Sequence, residues 1–277
     1  MNQLTEETFE KTLQTFIRSE QIDLSNVSFI DPYGMVGLLE IGELCMLEDV
    51  KKTVILPRSS DVLRYLDRMD FFLFARRVFT LDPPHPQTGT RGNGSDVLLE
   101  ITAIERANDI HFIVGKVQER AQSILATHLH YDERAINGFI VALSEVCQNI
   151  IEHSENKGFV GIQKYHYSSL KKNIVKIAVM DVGIGFRRSL SARFKLRGDL
   201  EAIEKALLHG ASRYDDEGRG HGLAAVRRFV EQWQGRLSIR SGSARRSLIP
   251  SWARGRKQEQ GLVNFPGSQI NIILPEV

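Results

Sequence analysis

A stretch rich in proline and glycine divides this chain of 277 residues into two parts of unequal length. Residues 82–95 contain three prolines and three glycines among fourteen positions. Neither a helix nor a central strand continues through such a stretch, because proline lacks the amide donor and both residues interrupt regular structure. The sequence therefore predicts a linker at residues 82–96, between a short module at residues 1–81 and a longer domain at residues 97–277.

The first part alternates between helical and extended patterns. Its helical segments carry apolar residues every three or four positions, and short extended runs separate them. Helices are predicted at residues 5–18, 33–47 and 61–69, and strands at residues 21–24 and 53–56. This alternation is typical of a small α/β module.

The second part predicts an α+β sandwich, with helices on one face of a mixed sheet. Its most regular helix is residues 132–153, where apolar side chains recur every three or four positions. The other helices are predicted at residues 113–126, 199–208 and 223–234. Extended segments are predicted at residues 98–104, 110–112, 160–166, 174–180, 236–240 and 269–274.

Bulk properties exclude several classes of protein. Hydrophobic residues make up 42 % and charged residues 25 % of the chain, as in soluble globular proteins. A net charge of +2 is too small to indicate a nucleic-acid partner. Cys45 and Cys147 lie in apolar helical patterns, which predicts buried thiols. The amino terminus has no signal-peptide pattern and no apolar run reaches about 18 residues, so we expect a cytoplasmic protein without a membrane span.

Two polar motifs each allow a functional and an ordinary structural interpretation. On the helix 132–153, Glu145, Asn149 and Glu152 fall at i, i+4 and i+7 and therefore share one face. Taken alone, that face is a solvated surface. Asp181 follows an apolar strand and precedes Gly183 and Gly185. This arrangement suits either a ligand at the sheet edge or a tight turn.

A third motif, Gly218-Arg219-Gly220-His221-Gly222, directly precedes the helix that begins at Leu223. Glycines before a helix present amide donors, and the helix dipole favours an anion there. A flexible loop is the alternative. The spacing is neither that of a P-loop nor that of a dinucleotide-binding fingerprint in its βαβ context.

Taken together and in this order, the three motifs resemble the N, G1 and G2 boxes of the ATPase superfamily shared by histidine kinases, gyrase, certain chaperones and mismatch-repair proteins. The last strand, residues 267–275, resembles the terminal box of the same superfamily. The resemblance covers roughly residues 100–277. It implies a Bergerat-type ATP-binding domain that uses ATP and Mg²⁺.

The resemblance also implies a role for each matching residue. Asn149 is expected to coordinate Mg²⁺, Glu145 to act as general base or to position the nucleophile, and Asp181 to bind the adenine amino group. The remaining expected nucleotide-binding residues are Gly183 and Gly185 beside the base, Ser268 near the adenine, and Gly218, Arg219, Gly220, His221, Gly222 and Leu223 around the phosphates.

Residues 186–217 lie where the superfamily has its ATP lid. The first half of this segment is basic, with five Arg and Lys side chains between Arg187 and Arg197. A mobile cover for the phosphates and a solvated helix or loop are both compatible with this pattern.

Residues 22–39 resemble the signature of anti-sigma-factor antagonists, the STAS modules. In that signature a strand leads to Asp-Ser-Ser-Gly at the start of a helix, and the second serine accepts a phosphoryl group. Here Asp31-Pro32-Tyr33-Gly34 replaces it, so Tyr33 stands where the phosphoacceptor is expected. The alternative is an ordinary α/β module whose helix begins with proline.

The two resemblances together imply a bacterial signalling protein close to the anti-sigma serine kinases. One reading is an enzyme, an ATPase or a protein serine/threonine kinase with Glu145 as base. The other is a non-catalytic, nucleotide-gated module that signals through protein partners. The partners considered are a STAS-like or sigma-factor-like regulator and a second copy of the chain in a homodimer.

The basic segment, residues 240–257, contains six Arg and Lys residues and no acidic residue. A solvated hairpin insertion is the interpretation that we favour. The alternative is a contact for an acidic partner or a nucleic acid.

Overall fold

The computed structural model describes residues 2–84, 97–168, 170–211 and 222–277. Most of the predicted linker, residues 85–96, lies outside the described residues. The elements before it are β1 Gln3–Leu4, α1 Glu6–Arg18, β2 Gln21–Asp23, β3 Phe29–Ile30, α2 Pro32–Leu47, β4 Lys52–Ile55, α3 Ser60–Arg68, α4 Phe71–Val78 and β5 Phe79–Asp82.

The elements after it begin with β6 and end with β10. They are β6 Val97–Ile104, α5 Ala107–Ala121, α6 Thr127–Leu129, α7 Glu133–Asn149, β7 Gly158–Tyr167, β8 Lys172–Asp181, α8 Gly185–Leu190, α9 Asp199–His209, α10 Gly222–Gln232, β9 Arg236–Leu248 and β10 Gln258–Pro275. Two π-helical turns, Gln122–Ala126 and Ile150–Ser154, continue α5 and α7.

Most predicted elements occur within a few residues of their expected bounds. The prediction of an extended segment at residues 110–112 was wrong. These residues lie inside α5. Ile110, Ile113 and Val117 are buried at helical spacing, whereas Phe112 is exposed. The three residues therefore lie on different faces of a helix, and so short a segment does not reveal whether its period is helical or extended. Helices α4 and α8 and strands β1, β3 and β5 were not predicted. Strands β9 and β10 are longer than the predicted segments 236–240 and 269–274.

The central sheet has five strands in the order β6-β7-β8-β10-β9. The expected α+β class with a helical layer is confirmed, but each strand pair is antiparallel where we expected a mixed sheet. Strands β7 and β8 follow each other along the chain, as do β9 and β10, and such neighbours pair as antiparallel hairpins.

Both faces of this sheet are buried. Along β8, the side chains of Val175, Ile177 and Val179 pack among the helices α5, α7, α9 and α10. The alternate side chains, Ala178 and Met180, pack with the first part of the chain. Residues 2–82 thus share one hydrophobic core with the second face of the sheet.

Helix α2 lies between this face and the smaller elements of the first part. Each of its residues from Pro32 to Gly42 is buried, as expected for a helix that is covered on all sides. It contacts β7 and β8 on one side and α1 and α4 on the other. The smaller elements include a parallel three-stranded sheet, β2-β4-β5, and the parallel pair β1-β3.

The Asp31-Pro32-Tyr33-Gly34 segment forms the beginning of α2. The Asp31 carboxylate caps the helix by accepting from the Gly34 amide at 3.0 Å, and it also pairs with Lys176 of β8 at 2.9 Å. Tyr33 is only 2 % exposed, and its ring meets Phe9 edge to face at 5.3 Å. In this conformation the tyrosine at the expected phosphoacceptor position is enclosed by the core.

The basic segment, residues 240–257, is not a wholly solvated insertion. Its first half belongs to β9, where Arg240 and Arg245 are buried. Both pair with Glu10 of α1, at 2.6 and 2.7 Å. The solvated interpretation fails for these residues because their acidic partner is the chain's own first helix. It holds for Arg254, Arg256 and Lys257 in the connection to β10, which are exposed.

None of the helices within the described ranges is long and apolar enough to cross a bilayer.

A buried carboxyl group, Glu40 on α2, gives the fold an expected pH dependence. Glu40 is fully buried, and no side chain hydrogen-bonds to its oxygens among the residues described. Burial, with the nearby negative charges of Asp181 and Glu43, raises the pKa of Glu40 well above 4.5. Below pH 4.5 both the folded and the unfolded states hold the proton. As pH rises further, the unfolded state releases its proton first, so stability falls until the folded-state pKa is passed.

We therefore expect Glu40→Gln to reduce the loss of stability between pH 5 and pH 8. The difference has this sign because glutamine has no proton to release as the pH rises. Urea unfolding at both pH values measures it. Glu48→Gln is the control, since it makes the same change at an exposed glutamate directly after the same helix. Equal pH dependence in wild type and Glu40→Gln would contradict the expectation.

Candidate functional site

A pocket lies where the carboxyl end of α7, the end of β8, helix α8, the beginning of α10 and the middle of β10 meet. Each of the predicted motifs contributes lining residues, and for the third motif these come from its described end, Gly222 and Leu223. The lining residues are Glu145, Gln148, Asn149, Glu152, His153, Ser154, Asp181, Gly185, Phe186, Ser189, Leu190, Ala206, Ala211, Gly222, Leu223 and Ser268. Gly218, Arg219, Gly220 and His221 lie outside the described residues.

Helix α7 brings the first motif to the pocket. Asp132 caps its amino end by accepting from the Ala135 amide at 2.7 Å, a standard helix start. Its buried stripe, which includes Phe139 and Leu143, packs into the helical layer. Because Glu145 and Asn149 are one turn apart on another side of the helix, both face the pocket.

Asp181 lies at the end of β8 and forms part of the pocket floor, with only 2 % exposure. Its Oδ1 accepts from the Ser154 hydroxyl and the Gly183 amide, each at 2.8 Å. Its Oδ2 accepts from the Ser268 hydroxyl at 2.5 Å and the Ser268 amide at 3.2 Å. Burial raises the pKa of Asp181, and these hydrogen bonds oppose that rise because they favour the carboxylate.

Ser154 is a site residue that the sequence analysis missed. It follows the predicted end of the helix at residue 153, where the π-helical turn Ile150–Ser154 brings the chain back to the end of β8. There its hydroxyl reaches Asp181, and its carbonyl accepts from the Ile184 amide at 2.9 Å. The available signal was a serine one residue beyond the polar face of the predicted helix. Its hydrogen-bond partner, Asp181, lies on another element and could not be recognised from that signal.

The two glycines after Asp181 serve close packing inside the protein. A Cβ on Gly183 would lie 2.0 Å from the Ser154 carbonyl oxygen, so only glycine fits there. Gly185 has a positive φ of 69°, which glycine adopts without strain. A Cβ on Gly185 would meet the Ser241 hydroxyl at 2.8 Å and the Gly267 carbonyl at 2.9 Å. Gly185 lines the pocket, whereas Gly183 lies behind its lining residues.

Glu145 and Gly222 meet at the other end of the pocket. A Cβ on Gly222 would lie 2.4 Å from Glu145 Oε2, so the glycine allows the beginning of α10 to approach the carboxylate. Burial raises the pKa of Glu145, and the negative charge of Glu152 raises it further.

Asn149 has the geometry that a cation ligand needs. Its Nδ2 donates to the Glu145 carbonyl at 2.8 Å, which orients the amide group and leaves the side-chain oxygen as the group for a ligand. Mg²⁺ prefers oxygen ligands and in nucleotide sites takes only one or two from the protein, the rest coming from phosphates and water. The donor set of Asn149 beside Glu145 therefore fits Mg²⁺ bound with a nucleotide.

Part of the predicted lid forms a wall of the pocket. Phe186, Ser189 and Leu190 of α8 line it together with Ala206 of α9 and Ala211. The basic side chains between Arg187 and Arg197 are exposed. Residues 212–217 of the predicted lid lie outside the described residues, and lid movement stays a prediction.

A test of the packing compares Gly183→Ala with Gly115→Ala. We expect Gly183→Ala to lower the free energy of unfolding by about 1–3 kcal/mol, the usual effect of overpacking against a rigid neighbour. Gly115 lies in α5 with open space around it, so Gly115→Ala should raise the free energy by about 0.5–1 kcal/mol. Denaturant unfolding measures both. A Gly183→Ala protein as stable as wild type would refute the proposed close contact.

Comparison with known proteins supports the identity of this domain. The model of the histidine kinase-, DNA gyrase B- and HSP90-like ATPase family matches residues 136–275, just over half of the chain. The match includes α7, the end of β8, α10 and the last strand, which together line the pocket. No curated protein matches the chain. The chain belongs to the histidine kinase-, DNA gyrase B- and HSP90-like ATPase family, whose domain binds ATP.

Proposed function

We propose that the pocket binds Mg-ATP, with the adenine at the Asp181 end and the phosphates at the end formed by Asn149 and Gly222. The observation that carries this proposal is the convergence of distant segments on one pocket. Residues from within the segments 145–154, 181–190 and 222–223 line it, although these segments come from α7 and its π-helical turn, β8, α8 and α10.

Asp181 is the acceptor for the adenine amino group in this proposal. Each of its carboxylate oxygens already accepts two hydrogen bonds from the protein. A carboxylate has about four acceptor positions, so an incoming amino group replaces one serine hydroxyl, which rotates away. Ser154 and Ser268 are therefore part of the base site together with Gly185, and Gly183 supports that site from behind by donating its amide hydrogen to Asp181.

The phosphates lie toward the beginning of α10. Amide groups at the start of a helix attract anions, and Gly222 and Leu223 stand there on the pocket wall. Gly218, Arg219, Gly220 and His221 directly precede them in the sequence and complete the phosphate site. Asn149 supplies a ligand to Mg²⁺, which neutralises phosphate charge when it is bound.

Glu145 is the general base. A base acts best when its pKa lies near the working pH, and burial with the Glu152 charge moves the pKa of Glu145 upward in that direction. Glu145 takes the proton of a nucleophile that attacks the γ-phosphate, and ADP leaves as the bond between its oxygen and the γ-phosphorus breaks. That nucleophile is water in an ATPase and a serine or threonine hydroxyl in a protein kinase.

In the wider proposal this is a cytoplasmic ATPase or protein serine/threonine kinase of the anti-sigma type, acting in bacterial signalling. Residues 1–81 are a STAS-like regulatory module, residues 82–96 a linker, and residues 97–277 the ATP-binding domain. The partner is a STAS-like or sigma-factor-like protein, or a second copy of the chain. The packing of α2 against β7 and β8 supports a regulatory role for the first part.

A nucleotide-gated binding module without catalysis is the second candidate. Residues 2–82 share a hydrophobic core with the sheet that carries Asp181. A change at that sheet on nucleotide binding could therefore be transmitted through this shared core to the surface of the first part, whether or not ATP is cleaved.

The decisive measurement follows γ-labelled phosphate from Mg-ATP in wild type, Glu145→Ala and Asp181→Asn. We expect Asp181→Asn to weaken binding about 10- to 100-fold, since a hydrogen bond to a charged group contributes ~1.5–3 kcal/mol. Glu145→Ala should bind Mg-ATP but lose turnover. The destination of the label separates an ATPase from a kinase.

Asp132→Asn is the matched control, because asparagine also caps helices well and residue 132 is remote from the pocket. Tight binding in Asp181→Asn would refute the proposed site. Intact binding without turnover in wild type would favour the nucleotide-gated module.

The pH dependence of turnover provides a second test. Glu145 must be ionised to accept a proton, so turnover should rise with pH through its pKa. Glu152→Gln removes a neighbouring negative charge and should move this rise to lower pH. Glu152→Asp retains the charge and is the control. A shift to higher pH in Glu152→Gln would contradict the proposed base.

A further inference from the structure

A buried ion pair joins the first helix to the edge of the central sheet. Arg240 of β9 is fully buried, and its Nε and Nη2 donate to the two carboxylate oxygens of Glu10 at 2.6 and 3.2 Å. Burial alone would raise the pKa of Glu10, but the hydrogen bonds and charges of Arg240 and Arg245 hold it below the ordinary value. Glu10 is therefore a charged partner for a guanidinium group that cannot lose its proton.

The same guanidinium group is also connected to the pocket through hydrogen bonds. Its Nη1 donates to Gln269 Oε1 at 3.3 Å, and Gln269 Nε2 donates to the backbone carbonyl of Asp181 at 3.2 Å. Gln269 is fully buried and also donates to the Pro266 carbonyl at 2.8 Å. A continuous hydrogen-bonded path thus runs from α1, through β9 and β10, to the residue at the floor of the pocket.

Two serines next to residues of this path make hydrogen bonds to the loops that border the pocket. Ser268, next to Gln269, donates to the Asp181 carboxylate through both its amide and its hydroxyl. Ser241, next to Arg240, donates to the Gly267 carbonyl at 2.6 Å and accepts from the Phe186 amide at 3.2 Å. A shift of Arg240 along β9 would therefore disturb both loops that flank Asp181.

We propose that Glu10, Arg240 and Gln269 form a positioning relay through which the first helix sets the affinity of the pocket for nucleotide. The relay rests on the proposed function, since it acts through Asp181. Its residues are positioning residues, because the structure gives them no contact with the pocket space.

The physical reason for coupling is the penalty for leaving Arg240 without its partner. A buried charge without compensation is strongly unfavourable, so Arg240 must move when Glu10 moves. Its remaining partners are the carbonyl groups of Gly242, Val263 and Phe265, and Gln269. Displacement of α1 is thus transmitted to the β9-β10 strands that support Asp181.

The test measures Mg-ATP affinity of the full chain by titration calorimetry in Glu10→Gln, Gln269→Met and the double variant. Each single change should weaken binding about five-fold, the size expected for one net hydrogen bond. Two links of one relay are not independent. The double variant should therefore also lose about five-fold, rather than the roughly 25-fold product of two independent effects.

Two variants control for the chemistry of the substitutions. Glu7→Gln changes a neighbouring glutamate of α1 that pairs with Arg236. Gln163→Met changes a buried glutamine of β7 that donates to the Lys164 carbonyl. Neither residue belongs to the path, so both should bind Mg-ATP like wild type even where the unfolding temperature falls.

A 25-fold loss in the double variant would overturn the relay, as would single variants that match their controls. If Gln269→Met does not fold, the Mg-ATP affinity of Glu10→Gln compared with that of Glu7→Gln decides. Glu10 is partly exposed, so Glu10→Gln is expected to fold. Asp181→Asn in the same series separates the two proposals. Unchanged affinity there refutes the proposed site. Weak binding there, with relay variants equal to controls, refutes only the relay.

Discussion

The burial of both faces of the antiparallel sheet governs the rest of this structure. When the strands of a sheet carry apolar side chains on both faces, each face needs its own layer of covering elements. In β8 the odd positions from Val175 to Val179 meet the helices, and Ala178 and Met180 meet the first part of the chain. The first part is therefore held by the hydrophobic effect against the reverse side of the sheet that supports the pocket.

Polar contacts across this apolar interface determine how the two parts fit together. Asp31 pairs with Lys176, Glu10 with Arg240 and Arg245, and the hydroxyls of Tyr65 and Tyr165 lie 2.5 Å apart. Buried ion pairs contribute little net stability because desolvation offsets attraction, but a misplaced partner is unfavourable. Apolar burial thus holds the parts together, while each of these polar groups finds its partner across the interface.

The pocket depends on the same arrangement. Asp181 ends the strand that separates the two cores, so its carboxylate faces the pocket while its carbonyl accepts from Gln269. Gly183 and Gly222 remove side-chain atoms where backbone or carboxylate approaches most closely. The site is therefore built by close packing of several loops around one acid, which explains why the proposed relay and the proposed nucleotide site meet at Asp181.

The sequence by itself determined the local elements and the candidate motifs. Helical periodicity identified α7 and its polar face, and an apolar run followed by Asp181 identified a strand end, because both signals lie within one element. Glu145, Asn149 and Asp181 could be located in this way, whereas Gly222 came from the glycine motif and Ser268 from the resemblance to the ATPase superfamily.

Only the tertiary structure decided which distant residues meet. The contact of Ser154 with Asp181 depends on a π-helical turn, and the burial of Arg240 depends on a helix 230 residues away in sequence. Arg240 belongs to a basic segment that suggested a solvated surface, and its partner is acidic and distant. Charge patterns show which residues can pair, but strand order and packing determine which of them do, because those contacts form only when the sheet assembles.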